Sequence, residues 1–219
     1  MAVPTAVVLA GGDPASPTLR SFLPEPSVVV AADSGLANAG PLGLTVDVLV
    51  GDLDSADPAA VARAERSGTT TVRHPVDKDH TDLELALLEA SARGARRVVV
   101  VGGAGGRLDH LLANALVLSA PAFAHLAIEA YVGDARLAVA RPGFPVDLTG
   151  AVGDLCSLLA VGGPARGVRT IGLRFALDGA VLEPGSTRGI SNELAAPRAS
   201  VSLERGTVLA VQPEFGRSR

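Results

Sequence analysis

Over the first 132 residues the chain is written in short, unbroken apolar runs, each stopped by glycine, proline or an acidic residue. "AVVLA" (6–10) ends at Gly11-Gly12, "SVVVA" (27–31) at Ala32-Asp33, and "VDVLV" (46–50) at Gly51-Asp52. "TTTVRH" (69–74) is a weaker run before Pro75; "RVVVV" (97–101) opens onto "GGAGG", and "AIEAYV" (127–132) closes the series. Runs that do not alternate with polar residues predict strands covered on both faces. A helical period appears between them. "TDLELALLEASARG" begins at Thr81 with Glu84 three residues later, a capping box, and reaches Arg93-Gly94 as a C-terminal stop. "RLDHLLANALVLS" has an apolar stripe at Leu108, Leu111, Leu112, Ala115 and Leu116, which leaves Arg107, His110 and Asn114 together on another face. Strands alternating with helices predict a doubly wound parallel sheet.

After about residue 140 the pattern changes. "PVDLTG", "LCSLLAV", "RTIGLRFALDGAVLEPG", "RASVSLE" and "TVLAVQ" are short strand-like runs broken by Gly, Pro and Asp-Gly turns, with almost no helix signal. Asp178-Gly179 between "LRFAL" and "AVLEP" predicts a hairpin. The expected fold is therefore α/β: an N-terminal doubly wound parallel sheet domain followed by a small antiparallel β-sandwich domain. The change of style falls near residues 133–145, and the division is drawn at residues 1–138 and 139–219.

Composition narrows the function classes. A chain of 219 residues with 47% hydrophobic and 19% charged content is that of a globular protein with a real core. Its net charge of −4 offers no broad basic field, so no nucleic acid or membrane partner is expected. A phosphate ligand must then be held locally, by metals, backbone N–H groups or a few cations. Cys156 is the single cysteine, which excludes an intrachain disulfide and favours a cytoplasmic setting. "MAVPTAVVLAGGDP" lacks the build of a signal peptide, and no apolar run is long enough to span a bilayer. With 3% aromatic residues and no Trp, the expected core is Val, Leu and Ala.

The candidate chemistry gathers at strand ends. Asp33 follows the second run, Asp52 and Asp54 the third; Lys78, Asp79, Thr81 and Asp82 follow the fourth, and Gly102 to Asp109 the fifth. Open α/β sheets bind ligands at the carboxyl ends of their strands. Each cluster also has a purely structural account. Asp33-Ser34-Gly35 suits a helix cap, Thr81 an N-cap, Asp82 the helix dipole, Lys78 a solvated surface, and Asp57-Pro58 a turn or cap. Four such clusters on one edge favour a site. In an extended segment Asp52 and Asp54 would share a face and, at about 6 Å and a dielectric near 20, repel by roughly 2–3 kcal/mol. A cation would relieve that repulsion, and aspartates without a Cys/His set suit Mg²⁺ shared with substrate phosphates. "GGAGGR" puts Arg107 beside a Gly-rich loop suited to an anion, although no Gly-Lys-Ser/Thr follows. His74, His80 and His125 have no metal-ligand spacing, and no Gly-x-Ser-x-Gly nucleophile motif is present. Phosphoryl transfer, which needs positioning and charge neutralisation more than a protein nucleophile, fits this set.

Taken together, the motifs resemble the thiamine pyrophosphokinase family, whose members move a pyrophosphate from ATP to thiamine. "AADSGLANAG" is similar to the family's Ala-Asp-Gly-Gly-Ala-Asn segment, and "VGDLDS" to its Gly-Asp-Phe-Asp-Ser signature. "KDHTDLELAL" resembles its Asp-x-Thr-Asp helix start, and "GGRLDHLLANALVL" its Gly-Gly-Arg-x-Asp-His helix. In the β domain, "RTIGLRFAL" and "GISNEL" resemble a Gly-Leu-x-Tyr/Phe segment and a Ser-Asn motif. Ser34 and Leu53 depart from the pattern, as does the absence of Trp where relatives often stack an aromatic on thiamine.

The resemblance implies an ATP-binding catalytic domain, a thiamine-binding β domain, and a homodimer whose active cleft is shared between subunits. By motif position it implies Asp52, Asp54 and Asp82 as the Mg²⁺ carboxylates, and these with Asp109 as the catalytic set. It implies Asp33, Lys78, Asp79, Thr81 and Arg107 on the nucleotide and phosphates, and Ser191 and Asn192 on the thiamine side. Three other readings stay open: a related pyrophosphokinase acting on a pterin-like alcohol, a glycosyltransferase using its Asp-x-Asp, and a non-catalytic Mg-nucleotide-binding regulator.

Overall fold

The computed structural model describes residues 3–77 and 79–216. Its contacts divide the chain into two compact units, residues 1–114 with 130–133 and residues 115–129 with 134–219.

The first unit is built on five parallel strands, β1 (Thr5–Leu9), β2 (Val28–Ala32), β3 (Val48–Gly51), β4 (Thr70–Arg73) and β5 (Arg97–Val101), in the order β5-β1-β2-β3-β4. Every residue of β1, β2 and β3 is buried, as unbroken apolar runs require of strands covered on both faces. The edge strand β4 has no buried residue, which accounts for its weaker sequence signal. The helices are α1 (Pro58–Arg66), α2 (Asp82–Ala92) and α3 (Leu108–Val117). α2 packs on β1, β2 and β3, burying Leu83, Leu85, Ala86, Leu87 and Ala90. It is capped by Thr81, whose hydroxyl accepts from the Glu84 N–H at 3.3 Å; the Glu84 carboxylate lies 3.3 Å from His80 Nδ1. Asp57 caps α1, accepting from the N–H groups of Ala59 and Ala60 at 3.0 and 3.2 Å. Pro58 stands at the first helical position, where its missing N–H costs nothing.

Two features differ from the sequence reading. The crossovers after β1 and β2 are 3-10 turns, Pro17–Phe22 and Asp33–Asn38, too short to carry an amphipathic period. In α3 no residue is buried, and Leu108, Leu112 and Leu116 are exposed, so its apolar stripe is not a core face in this chain.

Strand β6 (Ala127–Val132) gives its last residues to the first unit and Ala127–Glu129 to the second. The second unit is an antiparallel sandwich. One sheet runs β12 (Asn192–Glu193), β9 (Leu155–Ala160), β14 (Val208–Gln212), β7 (Ala135–Ala140). The other runs β11 (Ala180–Leu182), β10 (Ala165–Ile171), β13 (Arg198–Ser202), β8 (Val146–Thr149). Inward residues alternate along each strand and meet in one apolar core, with Ala138, Cys156, Leu158 and Ala210 from the first sheet and Val146, Leu148, Val168 and Val201 from the second. Burial pushes the Cys156 thiol up to about 11, so it is no nucleophile. The Asp178-Gly179 turn does lie between two paired strands, β10 and β11, but "LRFAL" is not the first of them. Gly172 at φ +74 ends β10, and an added Cβ there would lie 2.5 Å from the Arg198 carbonyl.

Candidate functional site

The strand order reverses between β1 and β5, and an open parallel sheet offers its ligand crevice at such a switch point. Both strands end in glycines. Ala10 to Gly12 follow β1 and Gly102 to Gly106 follow β5, and all of these but Gly102 line a cavity of about 700 Å³. The loops are in close contact: the Asp13 N–H donates to the Ala104 carbonyl at 2.8 Å, and that of Gly103 to the Gly11 carbonyl at 2.7 Å. Gly12 has φ +111, and a Cβ there would stand 2.1 Å from the Ala104 oxygen, so only glycine fits. Asn38, nearly fully buried, ties the first loop down. Its amide donates to the Ala10 carbonyl at 2.9 Å and accepts from the Ala15 N–H at 2.9 Å.

Acidic residues gather against the same cavity. Asp33 and Asp82 line it, together with Ser34, Ser55, His80 and Thr81. Carboxylate oxygens of Asp33, Asp52 and Asp54 lie within 4.8 Å of one another, Asp33 buried, Asp52 half-buried and Asp54 exposed. Asp82 joins the group across Gly51: a Cβ at Gly51 would lie 3.0 Å from Asp82 Oδ1 and 3.1 Å from Asp33 Cβ. Glycine there, at φ +146, is what lets the two approach. The aspartates converge by a route different from the pleat expected of an extended strand. β3 stops at Gly51, Leu53 takes φ +65, and the Asp54 N–H turns back to donate to Asp52 Oδ1 at 3.2 Å.

The electrostatics follow from this crowding. Asp52, through its hydrogen bond to Asp54 and then through its charge, holds the Asp54 carboxyl above the usual range, and Asp33 and Asp82 add to the effect. Oδ1 of Asp33, at 5% exposure, is buried with no hydrogen-bond partner among the described residues. An all-oxygen donor set, mutual repulsion and an orphaned carboxylate oxygen together fit a hard divalent cation.

The remaining candidates divide by position. Thr81 and Arg107 line the cavity, as do His110 and Asn114 from the polar face of α3. Asp109 and Asp79 are exposed and outside that lining. The Arg107 guanidinium beside Asp109, with Nε donating at 3.1 Å, holds the Asp109 carboxyl down to about 2. Lys78 lies outside the described residues.

In the second unit, Ser191 takes φ +55 and its N–H donates to Ser157 Oγ at 3.2 Å. Asn192 is 2% exposed and its amide is engaged at both ends, accepting from the Phe175 N–H at 3.0 Å and donating to the Phe175 carbonyl at 2.8 Å. Phe175 itself is exposed, with the Arg174 guanidinium 5.4 Å from its ring centre. Sequence reasoning missed Asn38 and Ser55. "LAN" and "DLDS" contain them, but nothing in their spacing reveals bonds that span 28 and 22 residues.

Comparison with known proteins finds matches to both halves of the chain. Residues 19–130 match the family model described as thiamin pyrophosphokinase, catalytic domain, and residues 145–208 that described as thiamin pyrophosphokinase, vitamin B1 binding domain. The chain is 24% identical over 209 residues to the thiamine pyrophosphokinase of Bacillus subtilis, covering 95% of this chain and 98% of the relative. The crystal structure of a Bacillus subtilis thiamine pyrophosphokinase superimposes with a TM-score of 0.80 at 24% identity, covering 95% of this chain and 98% of the other. That of the thiamin pyrophosphokinase from Geobacillus thermodenitrificans has a TM-score of 0.77 at 26% identity, covering 95% and 96%. With a catalytic-domain match across the acidic cleft and a second match across the sandwich, the chain belongs to the thiamine pyrophosphokinase family.

Proposed function

We propose that this chain catalyses Mg²⁺-dependent transfer of the β,γ-pyrophosphoryl group of ATP to the hydroxyl of thiamine, giving thiamine diphosphate and AMP. The observation that carries the reading is the convergence of Asp33, Asp52, Asp54 and Asp82 at the strand ends beside a glycine-lined cavity at the switch point. Family membership supplies the substrates.

In the reaction, an O–P bond forms between the thiamine hydroxyl oxygen and the β-phosphorus as the bridging bond to the α-phosphate breaks. AMP leaves and the hydroxyl proton passes to a base. Asp52, Asp54 and Asp33 would hold Mg²⁺, with Asp82 beside them. A bound Mg²⁺ supplies neutralisation of triphosphate charge and a template for in-line geometry. The backbone of the glycine loops and the N-terminal turn of α2, with Thr81, suit the phosphates. Arg107 stands at the cavity as a cation for the same anions, and Asp109 orients it. A carboxyl held down to about 2 is a poor proton acceptor at neutral pH, so Asp109 acts through Arg107 rather than as the base. Ser191 and Asn192 belong to the thiamine side, with Asn192 acting through the backbone of Phe175, which its amide already holds.

Incubation with Mg-ATP and thiamine is expected to yield AMP and thiamine diphosphate in equal amounts. ATP consumption only with a different alcohol would overturn the acceptor. A single cysteine, buried and inert, suits a cytoplasmic setting.

The same reading includes a homodimer, with the acceptor side of each cleft contributed by the β domain of the partner. Leu108, Leu112 and Leu116 form an exposed stripe along α3, an apolar face of the kind that subunit contacts cover. Light scattering is expected to give about twice the 22.0 kDa chain mass. A fully active monomer would contradict the shared cleft.

A further inference from the structure

Ser55 has a contact that helix capping and packing leave unexplained. It lines the cavity, and its hydroxyl donates to Asp33 Oδ2, joining the turn after β3 to the residue that ends β2. Helix α1 does not need it, because Asp57 already caps that helix. The turn's own conformation makes this contact: Leu53 in the left-handed region and the Asp54 N–H folded onto Asp52 Oδ1 bring Ser55 to a residue 22 positions earlier.

Asp33 is also held from its backbone. It takes φ +46, and its Cβ lies against Gly51, so the side chain has little room to shift. Its two oxygens are thereby made unequal. Oδ2 accepts the serine hydroxyl's hydrogen bond, whereas Oδ1 is buried and has no hydrogen-bond partner among the described residues. An unpaired buried carboxylate oxygen is destabilising by about 1–3 kcal/mol or more, so folds keep one where a ligand compensates it.

We propose that Ser55 is a positioning residue: by occupying Oδ2 of Asp33 it leaves Oδ1 as the oxygen available to the divalent cation, and so sets the affinity of the Asp33–Asp52–Asp54 group for metal. The proposal rests on the metal reading given above. Ser55 does not touch the reacting atoms, and its loss weakens cation binding without removing the capacity for turnover.

The test uses Mn²⁺ as probe in the absence of nucleotide, with free Mn²⁺ counted by electron paramagnetic resonance for the wild type, Ser55→Ala and Ser55→Thr. Ser55→Ala is expected to bind Mn²⁺ about tenfold more weakly, the scale of one hydrogen bond to a charged group. Ser55→Thr, which keeps the donor, is expected to bind like the wild type. In turnover, Ser55→Ala requires more Mg²⁺ for half-activation and recovers near-normal kcat at saturating Mg²⁺. Ser55 is exposed, so the Ala variant is expected to match the wild type in circular dichroism; with chelator present it melts about 2–4 °C lower, because buried Asp33 Oδ2 loses the serine donor. Equal Mn²⁺ affinity in Ser55→Ala and wild type overturns the role of Ser55 and leaves the metal site standing. A wild type that binds no Mn²⁺ overturns the metal reading and this proposal together.

Discussion

Asp54→Asn is expected to lose activity by a factor on the order of a hundred to a thousand while remaining folded. The loss has the scale seen when one pre-organised electrostatic group is removed from a reacting centre. Asp54 is exposed, and its backbone N–H, which Asn keeps, donates to Asp52 Oδ1 in the turn, so the loop geometry survives the substitution. Removing its charge also relieves the repulsion from Asp52, Asp33 and Asp82 that raises its pKa, so the thermal midpoint without metal should hold or rise. Stability unchanged and activity lost is the signature of charge placed for a ligand. The measurement is steady-state turnover alongside a melting curve in chelator. Wild-type turnover would remove Asp54 from the site.

A large loss of stability is expected from Gly35→Ala. A Cβ at this position would stand 2.1 Å from the Leu9 carbonyl oxygen and 2.7 Å from the Leu9 carbonyl carbon. Those atoms belong to the backbone of β1, the strand paired with both β2 and β5, so no side-chain rotation can make room. The 3-10 turn Asp33–Asn38 must lift away from the sheet, at a cost of about 3 kcal/mol or more. For a chain of this size that corresponds to a midpoint lower by roughly 6–12 °C. The same displacement moves Asp33 at one end of the turn and Asn38, the anchor of the glycine loop, at the other, so activity falls with stability. Gly40 lies in the same segment with nothing within 4 Å of an added Cβ and serves as the control, with Gly40→Ala melting like the wild type. Equal melting of the two variants would contradict the close packing of this turn on β1.

What could be read from the sequence was what one residue's neighbours along the chain determine. Unbroken runs such as "VVVA" and "VVVV" signalled strands buried on both faces, and Thr81 with Glu84 signalled a helix start, because burial and capping leave local patterns. The acidic edge was legible for the same reason: parallel strands place all their carboxyl ends together, so residues that follow strands meet. What escaped depends on backbone angles or on bonds across the fold. The left-handed Leu53 makes the Asp52–Asp54 pair a turn rather than a pleat, and no side-chain pattern reports a φ of +65. Asn38 and Ser55 act on Ala10 and Asp33, far away in sequence. The stripe of α3 obeyed helical periodicity, but periodicity says only that a face is apolar, not what covers it.

Whether the acidic cleft passes an intact pyrophosphoryl group from ATP to thiamine is decided by the fate of labelled phosphate. ATP is labelled at the β-phosphorus in one reaction and at the α-phosphorus in another, and the products are separated after incubation with thiamine and Mg²⁺. β label is expected wholly in thiamine diphosphate and α label wholly in AMP, with Asp54→Asn blocking both. β label in ADP with thiamine monophosphate as product would contradict it.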